Sequence, residues 1–169
     1  DEDITSIMEL ILEEFPTTEI TLSLPLWMQK LDAGHWLRRE AREPMQYILG
    51  STGFMGLDFH VEPGVLIPRP DTEILCEEAL RHVRPDSRVL DIGTGSGALA
   101  VSIAKLAKDA VVTAVDVSDT ALAIARGNAE KNGADVRFLK SDCFAALSGE
   151  KFDMIVSNPP YIDQEDMAG

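Results

Sequence analysis

Residues 158–161 read NPPY, directly behind the strand-forming run FDMIVS. Proline carries no backbone donor and restricts the residue before it, so a strand ladder has to stop there. A simple turn would account for this. A rigid mount that holds Asn158 and Tyr161 over a reacting group would account for it equally. Fixed acceptors in such a mount could hold the hydrogens of a target such as an amide nitrogen. Such a nitrogen is a poor nucleophile because its lone pair is delocalised. Fixed acceptors can aim it in line at an electrophile, and orientation of this kind supplies several kcal/mol, with ~7–11 the upper range. No strong general base is needed, since the proton can leave after transfer.

A second group lies at residues 91–97, DIGTGSG, between the apolar run RVLDI and the helix-patterned ALAVSIAKLA. Gly93, Gly95 and Gly97 allow a tight turn and a close approach by a ligand. With Ala98 the loop fits G-x-G-x-x-[GA], a pattern that mere turns also satisfy. Asp91 stands two residues before the first glycine, where an acid can take an amino group. Asp116 ends the next strand in VDVS, where a carboxylate can accept both ribose hydroxyls. Its alternative task is to cap the following helix, which Ser118 or Asp119 could do instead. Asp142, in SDCF, is placed to meet an adenine amino group, with Cys143 and Phe144 beside the ring, or else simply to solvate a loop. An adenosine ligand follows from these positions. A nicotinamide cofactor would rest its pyrophosphate on the helix N-terminus. S-adenosylmethionine has no phosphate but carries an ammonium and a sulfonium, which suit Asp91.

The elements that must position these residues alternate. From residue 88, RVLDI, AVVTAVDV, DVRFLKSD and FDMIVSNPP read as strands, with helices over ALAVSIAKLA and DTALAIARGNAEKNG, the latter closed by Gly133. Such alternation predicts a parallel sheet with right-handed crossovers, whose ligands bind beyond the carboxyl ends of the strands. Upstream, YILGSTGFMGLDFHV predicts a β-hairpin turning near Met55–Leu57. PGVLIPRPDTEIL predicts a stiff loop, then a helix through about residue 82 capped by Asp71 or Thr72. Ile4, Ile7, Met8, Ile11, Leu12 and Phe15 form one helical stripe, stopped by Pro16. Leu24, Trp27, Met28 and Leu31 form a second, and residues 35–43 a third short helix. Trp27 and Trp36 are expected in a core or interface. The organisation expected is a helical substrate-recognition unit over 1–46, a hairpin linker over 47–66 and an α/β domain over 67–169.

The 169 residues are 45% hydrophobic and 26% charged, an ordinary globular balance, with a net charge of -14. That surface repels phosphate backbones, and LRREAR at 37–42 is the nearest approach to a basic cluster, so nucleic acid is disfavoured as a partner. Cys76 and Cys143 lack metal-ligand spacing and read as reduced cytosolic thiols; no metal site is expected. Neither a signal peptide nor a membrane-spanning run is expected from these residues. The chain opens on DEDI, so its natural start is expected upstream.

In order and spacing, DIGTGSG, VDVS, SDCF and SNPPY resemble class I S-adenosylmethionine-dependent methyltransferases that modify an amide or exocyclic nitrogen. EPMQYILG…VEPGVLIPRPDTE is similar to one branch of them, the HemK/PrmC family of release-factor glutamine N5-methyltransferases, over about residues 43–166. NPPY alone is shared with adenine-N6 and cytosine-N4 DNA methyltransferases; IPRPDTE together with NPPY is far more selective.

The resemblance implies a Rossmann-like α/β sheet and methyl transfer from S-adenosylmethionine to the glutamine of the Gly-Gly-Gln motif in peptide chain release factors. It implies a cytoplasmic enzyme, with a monomer expected. The cofactor site would comprise Asp91, Gly93, Thr94, Gly95, Ser96, Gly97, Asp116, Asp142, Cys143 and Asn158. The catalytic residues would be Asn158, Pro159 and Tyr161: the Asn158 oxygen and the Pro159 carbonyl accept from the substrate amide, and Tyr161 packs on its flat face. Pro160 and Arg69 would complete the substrate site, Arg69 from a PRPDTE loop that closes over the cofactor and the target. The chain departs from the family at Cys143, where an aromatic residue is common, and in a shorter N-terminal unit. It ends eleven residues after Asn158, whereas a full class I fold carries further strands including a final antiparallel pair. A sheet truncated at the C-terminus is therefore expected. The alternative reading is an amino-methyltransferase acting on adenine or cytosine in nucleic acid; a nonenzymatic adenosine-binding module is the third.

Overall fold

A computed structural model of the chain describes residues 33–159. The chain divides into two compact units between Pro44 and Met45, two residues before the expected boundary. In the first unit, helix α1 (Ala33–Glu40) ends in a basic last turn, and Arg38 forms a double hydrogen bond to the Glu43 carboxylate at 2.7 and 2.6 Å. The stripes expected over residues 4–15 and 24–31 lie outside the described residues, as do Pro160 and Tyr161.

The second unit begins with a single helical turn, α2 (Met45–Leu49), where the sequence suggests the start of the hairpin. The hairpin follows as β1 (Ser51–Phe54) and β2 (Leu57–His60), antiparallel and turning at Met55 and Gly56. Both turn residues have positive φ, 51° and 74°, the twist that suits a two-residue hairpin. Met55 is not glycine, and its backbone N–H donates to Glu73 Oε1 at 2.7 Å, which holds the turn against the next helix. Phe54 and Phe59 meet edge to face and join the main core with Val89, Val101 and Val112, so the hairpin is packed into this unit.

Helix α3 (Pro70–His82) opens differently from expectation. Neither Asp71 nor Thr72 caps it. Arg69 is the N-cap, extended at φ −106° and ψ 155°, and makes no side-chain cap bond. The physical reason is Pro70. It occupies the first helical position, where a missing N–H costs nothing, and forces the residue before it out of the helical region. Asp71 and Thr72 are therefore already inside the helix.

Four parallel strands follow: β3 (Arg88–Ile92), β4 (Val111–Asp116), β5 (Val136–Lys140) and β6 (Met154–Ser157), in spatial order β5-β4-β3-β6. Helices α4 (Ala98–Leu106) and α5 (Asp119–Asn132) make the crossovers to β4 and β5. Ser118 caps α5 by accepting from the Ala121 N–H, and Gly133 ends it in the left-handed region at φ 61°. Asp116 is thus relieved of side-chain capping at that position. The chain runs outward from β3 to β5 and then returns to place β6 on the other side of β3. The carboxyl ends of β3 and β6 flank that reversal, the place where open α/β sheets form a crevice. Among the described residues no helix is long and apolar enough to cross a membrane.

Candidate functional site

The loop after β3 is built to expose backbone. Its Gly93 and Thr94 N–H groups both donate to the Val115 carbonyl, at 2.9 and 3.0 Å, which docks the loop on the end of β4. Gly93 and Gly95 have positive φ, and a Cβ at either would meet nothing within 4 Å, so both face open space. Gly97 differs. Its φ is 82°, and a Cβ there would lie 3.0 Å from Ala125 Cβ and 3.2 Å from Ala125 Cα. This third glycine lets α4 approach α5 closely.

Asp91 is 1% exposed. Its Oδ2 accepts from the Thr94 hydroxyl at 2.6 Å, while Oδ1 has no hydrogen-bond partner among the described residues. Burial pushes its carboxyl up to about 6; the Thr94 hydroxyl and the Ala100 backbone amide oppose the rise, and the Asp116 charge adds to it. A buried carboxylate with an unused oxygen at the edge of a cleft is a poor arrangement for an empty protein and a good one for a bound ammonium.

Asp116 uses both oxygens on backbone. Oδ2 accepts from the Gly95 N–H and Oδ1 from the Ser118 N–H, each at 2.9 Å. It ties the glycine loop to the start of α5 and keeps spare lone pairs on both oxygens. Ser141 fixes the loop after β5: its hydroxyl donates to the Cys143 carbonyl at 2.9 Å and accepts from the Ala146 N–H at 3.0 Å. Asp142, Cys143 and Phe144 on that loop are exposed, and Cys143 has φ 43°. Cys76 is instead buried, where desolvation pushes its thiol up to about 12.

Asp91, Gly93, Thr94, Gly95, Ser96 and Asn158 all line one cleft. Asn158 is partly buried, and its Nδ2 donates to Thr72 Oγ1 at 2.9 Å. Thus the two sequence groups that suggested chemistry, the glycine loop and the start of NPPY, meet in one cleft. Gly97, Asp116, Asp142, Cys143, Pro159 and Arg69 stand outside this lining; Pro159 is exposed, and so is Arg69 at the entry to α3. Leu66, Pro68 and Thr72 contribute to it from the segment before and inside α3.

Two residues that hold the site together escape a reading of motifs. Thr72 looks like a helix cap in sequence. Asn128 is fully buried on α5: its Oδ1 accepts from the His60 N–H at 2.7 Å, and its Nδ2 donates to the carbonyls of His60 and Ser96 at 3.0 and 2.8 Å. It binds the hairpin to the glycine loop. The signal for it was present, a polar residue on the helix face shared with Ala121, Ala125 and Ala129.

The model of the methyltransferase small domain matches residues 69–168. The chain belongs to the methyltransferase small domain family. It is 49% identical over 150 residues to a release factor glutamine methyltransferase of Geobacter sulfurreducens, covering 88% of this chain and 53% of the relative. It is 55% identical over 132 residues to a release factor glutamine methyltransferase of Bordetella pertussis, covering 76% of this chain and 49% of that one. The chain therefore spans about half the length of the curated relatives it matches. In fold it is similar to the tRNA (uracil-54, C5)-methyltransferase of Pyrococcus abyssi, solved with S-adenosyl-L-homocysteine, with a TM-score of 0.55 at 22% identity over 65% of this chain and 28% of that one. That likeness covers the class I methyltransferase-like α/β sheet that the sequence pattern predicts.

Proposed function

We infer that the chain acts in transferring a methyl group from S-adenosylmethionine to the side-chain amide N5 of the glutamine in the Gly-Gly-Gln motif of peptide chain release factors. The observation that carries this reading is the placing of Asn158 in the same cleft as Asp91 and the glycine loop, with its Nδ2 turned onto Thr72. That leaves Oδ1 as the acceptor for a substrate N–H. The names of the sequence relatives supply the substrate class.

The residues present fit the cofactor. The unpartnered Oδ1 of Asp91 suits its ammonium, the spare lone pairs of Asp116 suit ribose hydroxyls, and the open faces of Gly93 and Gly95 leave room for close backbone approach. Asp142, with Cys143, would take the adenine end. When bound, the cofactor supplies an electrophilic methyl on a positively charged sulfur. The chain's own part is then positional: Asn158 Oδ1 and the Pro159 carbonyl accept the two hydrogens of the glutamine amide and hold its nitrogen, while Pro160, Tyr161 and Arg69 bound the substrate. The leaving proton needs no dedicated base, because the amide nitrogen becomes far more acidic once it is methylated and positively charged.

The net charge of -14 favours a protein substrate over the nucleic-acid alternative. We place the enzyme in the cytoplasm as a monomer, with residues 1–46 recognising substrate and residues 67–169 binding the cofactor. The test is Asn158→Ala. Turnover on a release factor should fall at least ~100-fold while the cofactor Kd changes less than about threefold. Retained turnover removes Asn158 from the mechanism.

A further inference from the structure

The carboxamide of Asn158 can present either its oxygen or its NH₂ to the cleft, since the terminal torsion has two nearly equivalent states. Only the oxygen can accept from a substrate amide. With the oxygen committed to the cleft, the two Nδ2 hydrogens point back into the protein and need an acceptor. Thr72 Oγ1 is that acceptor, at 2.9 Å and from 86 residues away in sequence. It is well placed to stay there. Thr72 is 6% exposed, sits one turn into α3 behind Pro70, and its backbone N–H donates to the Arg69 carbonyl at 3.0 Å. The neighbouring Glu73 holds the hairpin turn through Met55, so this first turn of α3 is fastened on two sides. No other protein group among the described residues hydrogen-bonds the Asn158 side chain.

We propose that Thr72 is a positioning residue for methyl transfer, which fixes the Asn158 carboxamide with Oδ1 toward the substrate by accepting from its Nδ2. This deepens the reading of the site given above and rests on it. Removing the hydroxyl leaves a partly buried donor unpaired whenever Asn158 adopts its working orientation, and frees the carboxamide from the anchor that holds it there. A carboxamide turned the other way opposes NH₂ to the NH₂ of the substrate.

The test uses the full chain with Thr72→Val, which keeps the shape and loses the hydroxyl, and Thr72→Ser, which keeps the hydroxyl. The chain has three asparagines, 128, 132 and 158, so selective ¹⁵N-asparagine labelling gives three carboxamide signals. Asn128 and Asn132 donate to backbone carbonyls and report on the integrity of the fold. In Thr72→Val the Asn158 pair should shift and exchange its hydrogens about tenfold faster, with the other two unmoved. Turnover on a release factor should drop about 10- to 100-fold at an unchanged cofactor Kd, and Thr72→Ser should restore both signals and turnover. An Asn158 pair that stays in place, or full turnover in Thr72→Val, overturns the proposal. Failure of the parent reading looks different: Asn158→Ala is then as active as the unaltered chain, or no release factor is methylated, and the carboxamide signals alone decide whether Thr72 orients Asn158.

Discussion

Asp91 shows what the site costs the protein that carries it. Its carboxyl lies at about 6 in the fold against 3.8 when free, chiefly because it is buried. A raised acid favours the protonated folded state, so this contribution to stability is full below pH 3.8 and is lost as pH rises through about 6. The difference is worth about 3 kcal/mol against the ligand-free fold at neutral pH. Asp91→Asn keeps an acceptor for the Thr94 hydroxyl and removes the buried charge. The ligand-free variant should melt roughly 3–10 °C higher at pH 7.5 by calorimetry, with the gain vanishing near pH 4. The same variant should bind S-adenosylmethionine more weakly. In the unaltered chain, titration calorimetry should find cofactor affinity about tenfold lower at pH 5 than at pH 7.5, because the ammonium then meets a largely neutral partner. The candidate role of Asp91 was legible in sequence from its place before the glycines. Its burial, and the orphaned oxygen that follows from it, come from tertiary packing that no local pattern encodes.

At the scale of elements, the parallel strands and crossover helices were readable almost residue by residue, because period and breakers agreed: RVLDI is β3 from Arg88 to Ile92, and Gly133 ends α5. The start of α3 was misread because Pro70 takes the first helical position, which leaves Thr72 free for Asn158. Asn128 was missed because a motif search does not ask what a buried carboxamide bonds. Replacing it with alanine leaves the His60 N–H and two carbonyls to find new partners, and should destabilise this unit by about 2–4 kcal/mol in denaturant unfolding. Hydrogen exchange should quicken at His60 before it does in β3. Gly97→Ala combines a left-handed backbone with a Cβ pressed against Ala125, and should cost about 1–3 kcal/mol. In contrast, a Cβ at Gly93 or Gly95 would meet nothing within 4 Å, so alanine there should cost backbone strain and affect cofactor binding more than it affects packing.

At the scale of the molecule, the loop after β3 and Asn158 after β6 meet in one cleft at the carboxyl end of the four-stranded sheet. That convergence is what turns NPPY from a strand-ending turn into a candidate clamp. It was foreseeable from the strand order rule but not from NPPY itself. NPPY alone leaves the target open, since the same four residues serve amide and base nitrogens alike, and it is IPRPDTE that narrows the resemblance. Here the relatives and the acidic surface point the same way. The direct measurement is methyl transfer with labelled S-adenosylmethionine in a mixture of a release factor, duplex DNA and tRNA, followed by mass spectrometry of the labelled product. The account predicts one added methyl group on the glutamine of the Gly-Gly-Gln motif and none on nucleic acid. Label that persists on the release factor after that glutamine is changed to alanine, or that collects on DNA or tRNA, would contradict it.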